Sequence, residues 1–185
     1  MRDDFKFLVK PVEDLTEDEK DQLMKISIAE YPLFEKYYKK NKYYSVIKPQ
    51  MVGLVLLGDK IVGKGKFLWQ NVLIGNNNTK MFGFGVLIDS AYQGQGLGTE
   101  LIKTYVEKAR VLGADFVLAT TINTVVDEIL PKLGFKKLTS VVEYTNAITG
   151  IRQLEKGRCY VLEMKEGLLK EIEVSKILYI GTGPV

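Results

Sequence analysis

The residues with the clearest chemical potential form a glycine-rich turn between a strand-like run and a helical pattern. The turn reads Gln93-Gly94-Gln95-Gly96-Leu97-Gly98-Thr99. The first turn of a helix exposes unpaired N–H groups and the positive end of the helix dipole. Glycines let an anion approach such a backbone closely. The pattern therefore predicts a site for a phosphate or pyrophosphate on the main-chain amides of this turn.

Two well-known nucleotide-binding motifs do not fit the turn. The run from Gly94 to Gly98 lacks the G-x-G-x-x-G spacing of dinucleotide-binding folds, and no acidic residue follows about 20 positions later at a strand end. It also lacks the G-K-[ST] of a P-loop. On its own, a glycine turn that merely ends a strand remains an equal alternative.

The composition excludes several kinds of catalytic site. The 185 residues include one cysteine, Cys159, and no histidine. Without histidine, the chain has no Ser-His or Cys-His triad, no His-ligated metal and no His base. A single cysteine permits no intrachain disulfide, which fits a reducing compartment. We expect no metal site.

Charge and hydropathy narrow the choice of partners. The 26 Lys and Arg against 23 Asp and Glu give a net charge of +3, far from the profile of a dedicated nucleic-acid binder. No apolar run reaches about 18 residues, and the N-terminal residues Met1 to Phe5 lack the apolar core of a signal peptide. We therefore expect a soluble cytoplasmic protein without membrane contact, and a homodimer is left open.

The elements around the turn alternate between strands and helices, which indicates one α/β domain of mixed topology. A capping box at Thr16–Glu19 predicts a helix that stops before Pro32, and Asn123 is placed to cap a short helix through Leu130. A third helix is predicted over 99–111. Strands are predicted at 5–12, 51–57, 61–69, 81–88, 115–122, 135–144, 158–164 and 176–180.

A larger pattern around the turn resembles the GNAT superfamily of acyl-CoA-dependent N-acyltransferases. Gln93-x-x-Gly96-x-Gly98 matches the family signature [QR]-x-x-G-x-[GA], and Ile88–Tyr92 is similar to its lead-in. Asn123 followed by Leu133-Gly134-Phe135 resembles the second landmark of the family. The resemblance is firm over about 80–140 and extends as a pattern over 5–70 and 140–165.

The resemblance implies a mixed, mostly antiparallel central sheet flanked by helices, with splayed fourth and fifth strands. A GNAT-like domain would span residues 1–165, followed by a C-terminal extension at 166–185 with an extra strand. Acetyl-CoA would be the cosubstrate. Its pantetheine would hydrogen-bond to the backbone of Val86, Leu87 and Ile88, and Asn123 matches the residue that bonds the pantetheine arm. Asn123 as a plain helix cap is the alternative.

The resemblance also assigns the pyrophosphate to the glycine turn. Gln93 stands where its side chain holds the loop or the phosphates. The main-chain amides that would bind the pyrophosphate are those of Gly94, Gln95, Gly96, Leu97, Gly98 and Thr99.

The sequence departs from the family at the usual side-chain catalysts. Many members have a tyrosine acid seven residues after the Asn, where this chain has Leu130, and Pro131 beside it should distort the last turn of that helix. Some members place a glutamate five residues before the Asn, where this chain has Leu118. A thiolate can leave without an acid, but freeing an alkylamine at pH 7 costs roughly 4–5 kcal/mol.

Four residues are candidates to supply the missing acid–base chemistry. Glu143 and Tyr144 follow the L-G-F landmark on a strand, and Asp89 ends the fourth strand. Each of these also fits a surface or strand-end role. Cys159 as an acyl-accepting nucleophile is a further option, although a lone cysteine in a strand usually serves packing.

The stretch Lys36–Tyr44 interleaves lysines with tyrosines in the region that usually covers the acceptor pocket in this family. It fits an exposed helix whose tyrosines face the core and whose lysines face water. It also fits a pocket rim that favours an aromatic or anionic acceptor. Contact with single-stranded nucleic acid ranks last because the net charge is only +3.

The most economical interpretation is an N-acetyltransferase. It would move an acetyl group from acetyl-CoA to an amine of a small molecule or protein, by direct attack in a ternary complex. The main alternative is a non-catalytic acyl-CoA-binding module of the same fold, which the absence of an obvious acid–base pair favours.

Overall fold

The computed structural model of the protein describes residues 4–41, 45–121 and 123–183. The strands are β1 Phe5–Pro11, β2 Met51–Leu57, β3 Lys60–Ile74, β4 Asn77–Ile88, β5 Phe116–Thr120, β6 Lys136–Lys137, β7 Val141–Asn146, β8 Arg152–Glu155, β9 Cys159–Glu163 and β10 Ile177–Gly183. The α-helices are α1 Glu17–Glu30, α2 Glu35–Asn41, α3 Leu97–Val111, α4 Thr124–Lys132 and α5 Leu168–Ser175.

The strands form two sheets. Within the described residues, a seven-stranded sheet has the order β1-β2-β3-β4-β5-β9-β6, and a three-stranded sheet has the order β10-β7-β8. The pairs β4–β5 and β7–β10 are parallel, whereas β1–β2, β2–β3, β5–β9, β6–β9 and β7–β8 are antiparallel. The large mixed sheet flanked by helices confirms the expected fold class.

The chain divides into two compact units. The first unit comprises Met1–Leu68 and Phe84–Tyr105, and the second comprises Trp69–Gly83 and Val106–Val185. The first unit contains the glycine turn and α1.

Helix α1 begins with the predicted capping box, in which Glu19 N donates to Thr16 Oγ1 at 3.2 Å and Thr16 N donates to Glu19 Oε2 at 2.8 Å. A core cluster of the first unit consists of Val12, Leu15, Leu23, Val52, Leu54 and Ile61.

Two facing glycines let α3 pack very close to the sheet of the first unit. Gly53 of β2 and Gly65 of β3 are register partners, and Tyr105 of α3 lies against both. A Cβ at either glycine would overlap the Tyr105 Oη atom. The Tyr105 ring stacks on Phe67 with 4.9 Å between the ring centroids. Because these two glycines have no side chains, they set how closely α3 packs against the sheet.

The second unit differs most from the sequence prediction. The single strand expected at 135–144 is two strands, β6 in the large sheet and β7 in the small one. The break is stabilised by α5, because Thr139 N donates to Glu173 Oε1 at 2.9 Å and Ser140 Oγ donates to the Ile172 carbonyl at 3.1 Å. Helix α5 itself was not predicted, and neither was β8. The predicted C-terminal strand is present as β10.

Several element boundaries also differ from the predicted ones. Strands β3 and β4 extend to a two-residue turn at Gly75-Asn76, so the turn predicted from Asn76 onward comes earlier. Helix α3 begins at Leu97, two residues before its predicted start. Residue 122, the predicted last residue of the fifth strand, lies outside the described residues. Helix α4 runs past Pro131, and its end is tightened because Leu133 N donates to the Leu130 carbonyl at 3.0 Å.

The glycine contact makes a testable prediction. Gly53→Ala should lower the free energy of unfolding by about 2 kcal/mol, because the added methyl overlaps the Tyr105 ring and stands 2.8 Å from Leu101 Cδ1. The double variant Gly53→Ala/Tyr105→Phe should recover part of that loss. Urea denaturation of the two single variants and the double variant measures the coupling. Strictly additive effects would contradict the proposed contact.

Candidate functional site

The path from β4 to α3 is held by two polar side chains. Asp89 Oδ1 accepts a hydrogen bond from Ala91 N at 3.0 Å and so caps the short 3₁₀ turn at Ser90–Tyr92. Gln93 Nε2 donates to the Ile88 carbonyl at 2.9 Å. The structure thus gives Asp89 a capping contact, and it gives Gln93 the loop-holding contact that was one of its two predicted roles.

The turn itself offers an open main chain at the start of a long helix. Gly94 and Gly96 have φ of 78° and 81°, and a Cβ at either position would meet nothing within 4 Å. The first helical hydrogen bond runs from Glu100 N to the Gly96 carbonyl at 3.1 Å. The amides of the preceding helical residues have no carbonyl within the helix to bond. They suit an incoming anion.

Charge near this turn is partly balanced. Glu100 places a carboxylate in the first turn of α3, and Lys103 pairs with it at 2.7 Å. The ion pair offsets the negative charge that would otherwise compete with an anion at the helix dipole. Leu97 is buried and anchors the first turn in the core.

The predicted pantetheine-binding strand is half-buried and runs beyond its pairing with β5. The parallel ladder joins Met81, Phe82 and Gly83 to the residues Phe116–Leu118. Strand β4 then continues to Ile88. This short ladder is what splayed fourth and fifth strands require. It leaves Val86, Leu87 and Ile88 past the last residue of β4 that pairs with β5.

Asn123 caps α4. Its side-chain oxygen accepts a hydrogen bond from Val125 N at 2.9 Å, which is the alternative role weighed for it. Asn123 belongs to the second unit, whereas the glycine turn belongs to the first. Its predicted contact with pantetheine stays a prediction.

The two predicted acid–base residues do not share a face. Glu143 and Tyr144 are adjacent on β7, so their side chains point to opposite sides of the small sheet. The Glu143 carboxylate pairs with Arg152 at 3.1 Å. Burial, followed by the charge of Glu155, raises the pKa of Tyr144. At most one of the two can therefore face a given substrate.

The remaining chemical candidates of the second unit are part of its packing. Cys159 is fully buried, and burial together with Glu155 raises the pKa of its thiol to about 12. Such a thiol stays protonated near neutral pH and is a poor nucleophile. Leu118 and Leu130, which replace the family's glutamate and tyrosine, are both buried core residues.

The lysine–tyrosine stretch fits the exposed-helix interpretation where the structure describes it. In α2, Tyr38 is buried while Lys36, Lys39 and Lys40 are exposed. Lys39 forms an ion pair with Glu35 one turn away. The second half of the stretch, Lys42–Tyr44, lies outside the described residues.

Two lysines of β3 were missed by the sequence analysis. Lys64 is buried, and its Nζ donates a hydrogen bond to Ser27 Oγ of α1. Burial and the neighbouring charge of Lys66 lower the pKa of Lys64 to about 7. Burial also lowers the pKa of Lys66. The signal was present in the run Gly63-Lys64-Gly65-Lys66, which places two amines on one face of a strand and two glycines on the other.

Two features are absent from the described residues. Within residues 4–41, 45–121 and 123–183, no three His, Cys, Asp or Glu side chains group closely enough to hold a metal ion. Among the helices of the same ranges, none combines the length and the apolar character needed to span a bilayer.

Comparison with known proteins gives a family and a fold. The model of the acetyltransferase (GNAT) family matches residues 12–135, about two thirds of the chain. No match is found among curated proteins.

Solved structures match at low sequence identity. Escherichia coli ElaA has a TM-score of 0.59 at 14% identity, over 85% of this chain and 97% of that one. The structure of yncA from Salmonella typhimurium with its cofactor acetyl-CoA has a TM-score of 0.55 at 15% identity, over 87% and 95%. A GCN5-related N-acetyltransferase from Kribbella flavida has a TM-score of 0.50 at 19% identity, over 74% of this chain and 34% of that one. The present chain therefore spans about a third of the Kribbella protein.

The buried lysine predicts a specific pH dependence of stability. Between about pH 7 and the ordinary lysine pKa of 10.5, unfolded Lys64 holds a proton that the folded form lacks, so stability rises with pH in this window. Below it, the buried charge destabilises the fold. Lys64→Met should therefore stabilise the protein most at about pH 6 and least at about pH 10.

Urea denaturation across that pH range measures this difference. Lys25→Met is the matched control, because Lys25 is an exposed lysine on α1. A stability difference between wild type and Lys64→Met that does not change with pH would show that Lys64 titrates normally.

Proposed function

Since this chain belongs to the acetyltransferase (GNAT) family, we propose that it is an N-acetyltransferase that uses acetyl-CoA as cosubstrate. The acetyl group moves to an amine of a small molecule or protein by direct attack in a ternary complex. The amine nitrogen forms a bond to the thioester carbon, the carbon–sulfur bond breaks, and the amine loses one proton. The thiolate of coenzyme A leaves and takes up a proton.

The glycine turn carries this proposal. Gly94 and Gly96 keep the main chain open through positive φ, and Gly96 directly precedes the first amides of α3, which have no carbonyl partner within the helix. A pyrophosphate there gains hydrogen bonds from backbone N–H groups and the favourable end of the helix dipole. The proposed donors are the amides of Gly94, Gln95, Gly96, Leu97, Gly98 and Thr99, with Gln93 holding the turn against the end of β4.

Strand β4 is the proposed partner of the pantetheine. The backbone of Val86, Leu87 and Ile88 would hydrogen-bond to it, and a main-chain N–H there would polarise the thioester carbonyl. Asn123 would contact the pantetheine arm with the part of its amide that does not cap α4. The similar fold of yncA, which was solved with acetyl-CoA, supports acetyl-CoA as the ligand.

Acid–base chemistry would fall to a small number of groups. Glu143 and Tyr144 remain the proposed side-chain catalysts, and their opposite orientation on β7 allows only one of them to serve the amine. A thiolate leaves readily enough that an acid is dispensable. The demanding requirement is a neutral amine, which a local environment that lowers the amine pKa also provides.

A second candidate function is binding without turnover. It is favoured by one observation: the positions at which related enzymes have a glutamate and a tyrosine are the buried Leu118 and Leu130. Such a protein would keep the glycine turn and bind acyl-CoA without transferring the acyl group.

Transfer assays separate the two functions. Incubation with acetyl-CoA and a panel of primary amines should release free thiol and yield acetylated amine in equal amounts, measured by a thiol reagent and by mass spectrometry. Thiol release without acetylated amine indicates hydrolysis instead. Tight acetyl-CoA binding in calorimetry with no product from any amine would favour the binding module.

Substitutions in the turn test the pyrophosphate site directly. Gly96→Glu should weaken acetyl-CoA binding by about a hundredfold or more, because it places a carboxylate where the phosphates belong. Gly96→Ala carries the same backbone strain at φ 81° without the charge, and it should bind far better than Gly96→Glu.

Gly98→Ala is the neutral control. Its added Cβ would lie 3.7 Å from Ile88 Cγ1, an ordinary contact, and the family signature accepts alanine there. We expect near-normal affinity by calorimetry. Equal affinities for wild type and Gly96→Glu would refute the assignment of the pyrophosphate to this turn.

A further inference from the structure

Lys64 and Lys66 form a pair of amines on one face of β3. Residues two apart on a strand project to the same side and lie roughly 6–7 Å apart. Helix α1 covers this face, because Lys64 Nζ donates to Ser27 Oγ of that helix. The opposite face of β3 is the one on which Gly65 meets Tyr105 of α3. The two lysines therefore point away from the helix that bears the glycine turn.

The side chain of Lys66 lies against Gly85 of strand β4. A Cβ at Gly85 would stand 3.0 Å from Lys66 Cε and 3.2 Å from Lys66 Cγ. The aliphatic part of the lysine thus lies where a side chain of residue 85 would be. Gly85 directly precedes Val86, the first residue of the proposed pantetheine-binding segment. The Lys66 ammonium therefore lies close to the strand that would hold the thioester.

The electrostatics at Lys66 favour an anion. Lys66 is half-buried, and the buried Lys64 lies on the same face of β3. Within the described part of the chain, no carboxylate forms an ion pair with Lys66. A ligand carboxylate or phosphate beside the Lys66 ammonium would supply the opposite charge and strong hydrogen bonds.

We propose that Lys66 binds an anionic group, a carboxylate or a phosphate, carried by the amine acceptor. This inference rests on the proposed acetyltransferase function, and it names the class of acceptor. The site would favour amines that carry an acidic group and would disfavour polyamines. The positive charge of Lys66 would also oppose protonation of the acceptor amine, which favours the neutral form that attacks the thioester.

The acceptor class is tested with amines matched in size. 4-Aminobutanoate and O-phosphoethanolamine carry an acid group, butylamine and ethanolamine are their neutral counterparts, and putrescine carries a second amine. We expect kcat/KM for the acidic amines to exceed that for their counterparts by about tenfold or more, with putrescine the poorest. The comparison of the two acids distinguishes a carboxylate site from a phosphate site.

Variants of Lys66 assign the preference to this residue. Lys66→Gln should remove most of the preference for acidic amines through KM, and Lys66→Arg should retain it. Lys25→Gln, which removes an exposed charge from α1, should leave the preference unchanged. Removing a half-buried charge should leave the melting temperature of Lys66→Gln equal to or above that of wild type, and Lys66→Met provides a second neutral variant.

Direct binding separates this proposal from the acetyltransferase proposal. Calorimetry with acetyl-CoA tests the glycine turn, and calorimetry with O-phosphoethanolamine or 4-aminobutanoate tests Lys66. Binding of either acid that Lys66→Gln loses and Lys66→Arg keeps would support the site, even if acetyl-CoA failed to bind. An equal or better reaction with neutral amines or putrescine, or an acid preference that survives Lys66→Gln, would overturn the proposal. No detectable binding of either acid at millimolar concentration would also overturn it.

Discussion

The close approach of α3 to the sheet is the constraint on which the first unit depends. Tyr105 can lie against β2 and β3 only because Gly53 and Gly65, opposite each other in register, have no side chains. The same helix begins at Leu97 and presents the amides of the glycine turn. Its packing depth therefore decides where those amides stand relative to β4. A contact inside the core thus sets the position of the exposed turn that we propose binds the pyrophosphate.

The candidate site relies on main chain more than on side chains. Phosphate and thioester recognition would come from backbone amides of the turn and of β4. At the positions where the resemblance places catalytic side chains, this chain has the buried Leu118 and Leu130. Lys66, which lies against Gly85 of β4, adds a basic side chain beside the proposed pantetheine strand. This combination suits the proposed acetyltransferase, whose contribution would be to orient two substrates and to disfavour the protonated form of the amine.

Sequence reasoning succeeded where local chemistry decides the structure. The capping box at Thr16–Glu19, the turn after Ile88 and the cap at Asn123 depend on hydrogen bonds between neighbouring residues, so their patterns are readable. Sequence reasoning failed where contacts between residues far apart in the sequence decide the structure. The split between β6 and β7 depends on Glu173, 34 residues beyond Thr139.

Two further failures concern α5 and the lysines of β3. Helix α5 begins after Gly167 without a side-chain cap, so no local capping pattern marks its start. The burial of Lys64 and Lys66 follows from the packing of α1 and from Gly85, which no strand pattern reports.

The small sheet has a consequence for how the chain acquires its structure during synthesis. Its central strand, β7, pairs with β8 through a short connection but with β10 only across more than thirty residues. Until β10 emerges from the ribosome, the edge of β7 with which it pairs exposes backbone N–H and C=O groups that have no strand partner. The nascent second unit therefore passes through a period in which it is open to strand exchange with other chains, whereas β1 to β4 of the large sheet already have their partners.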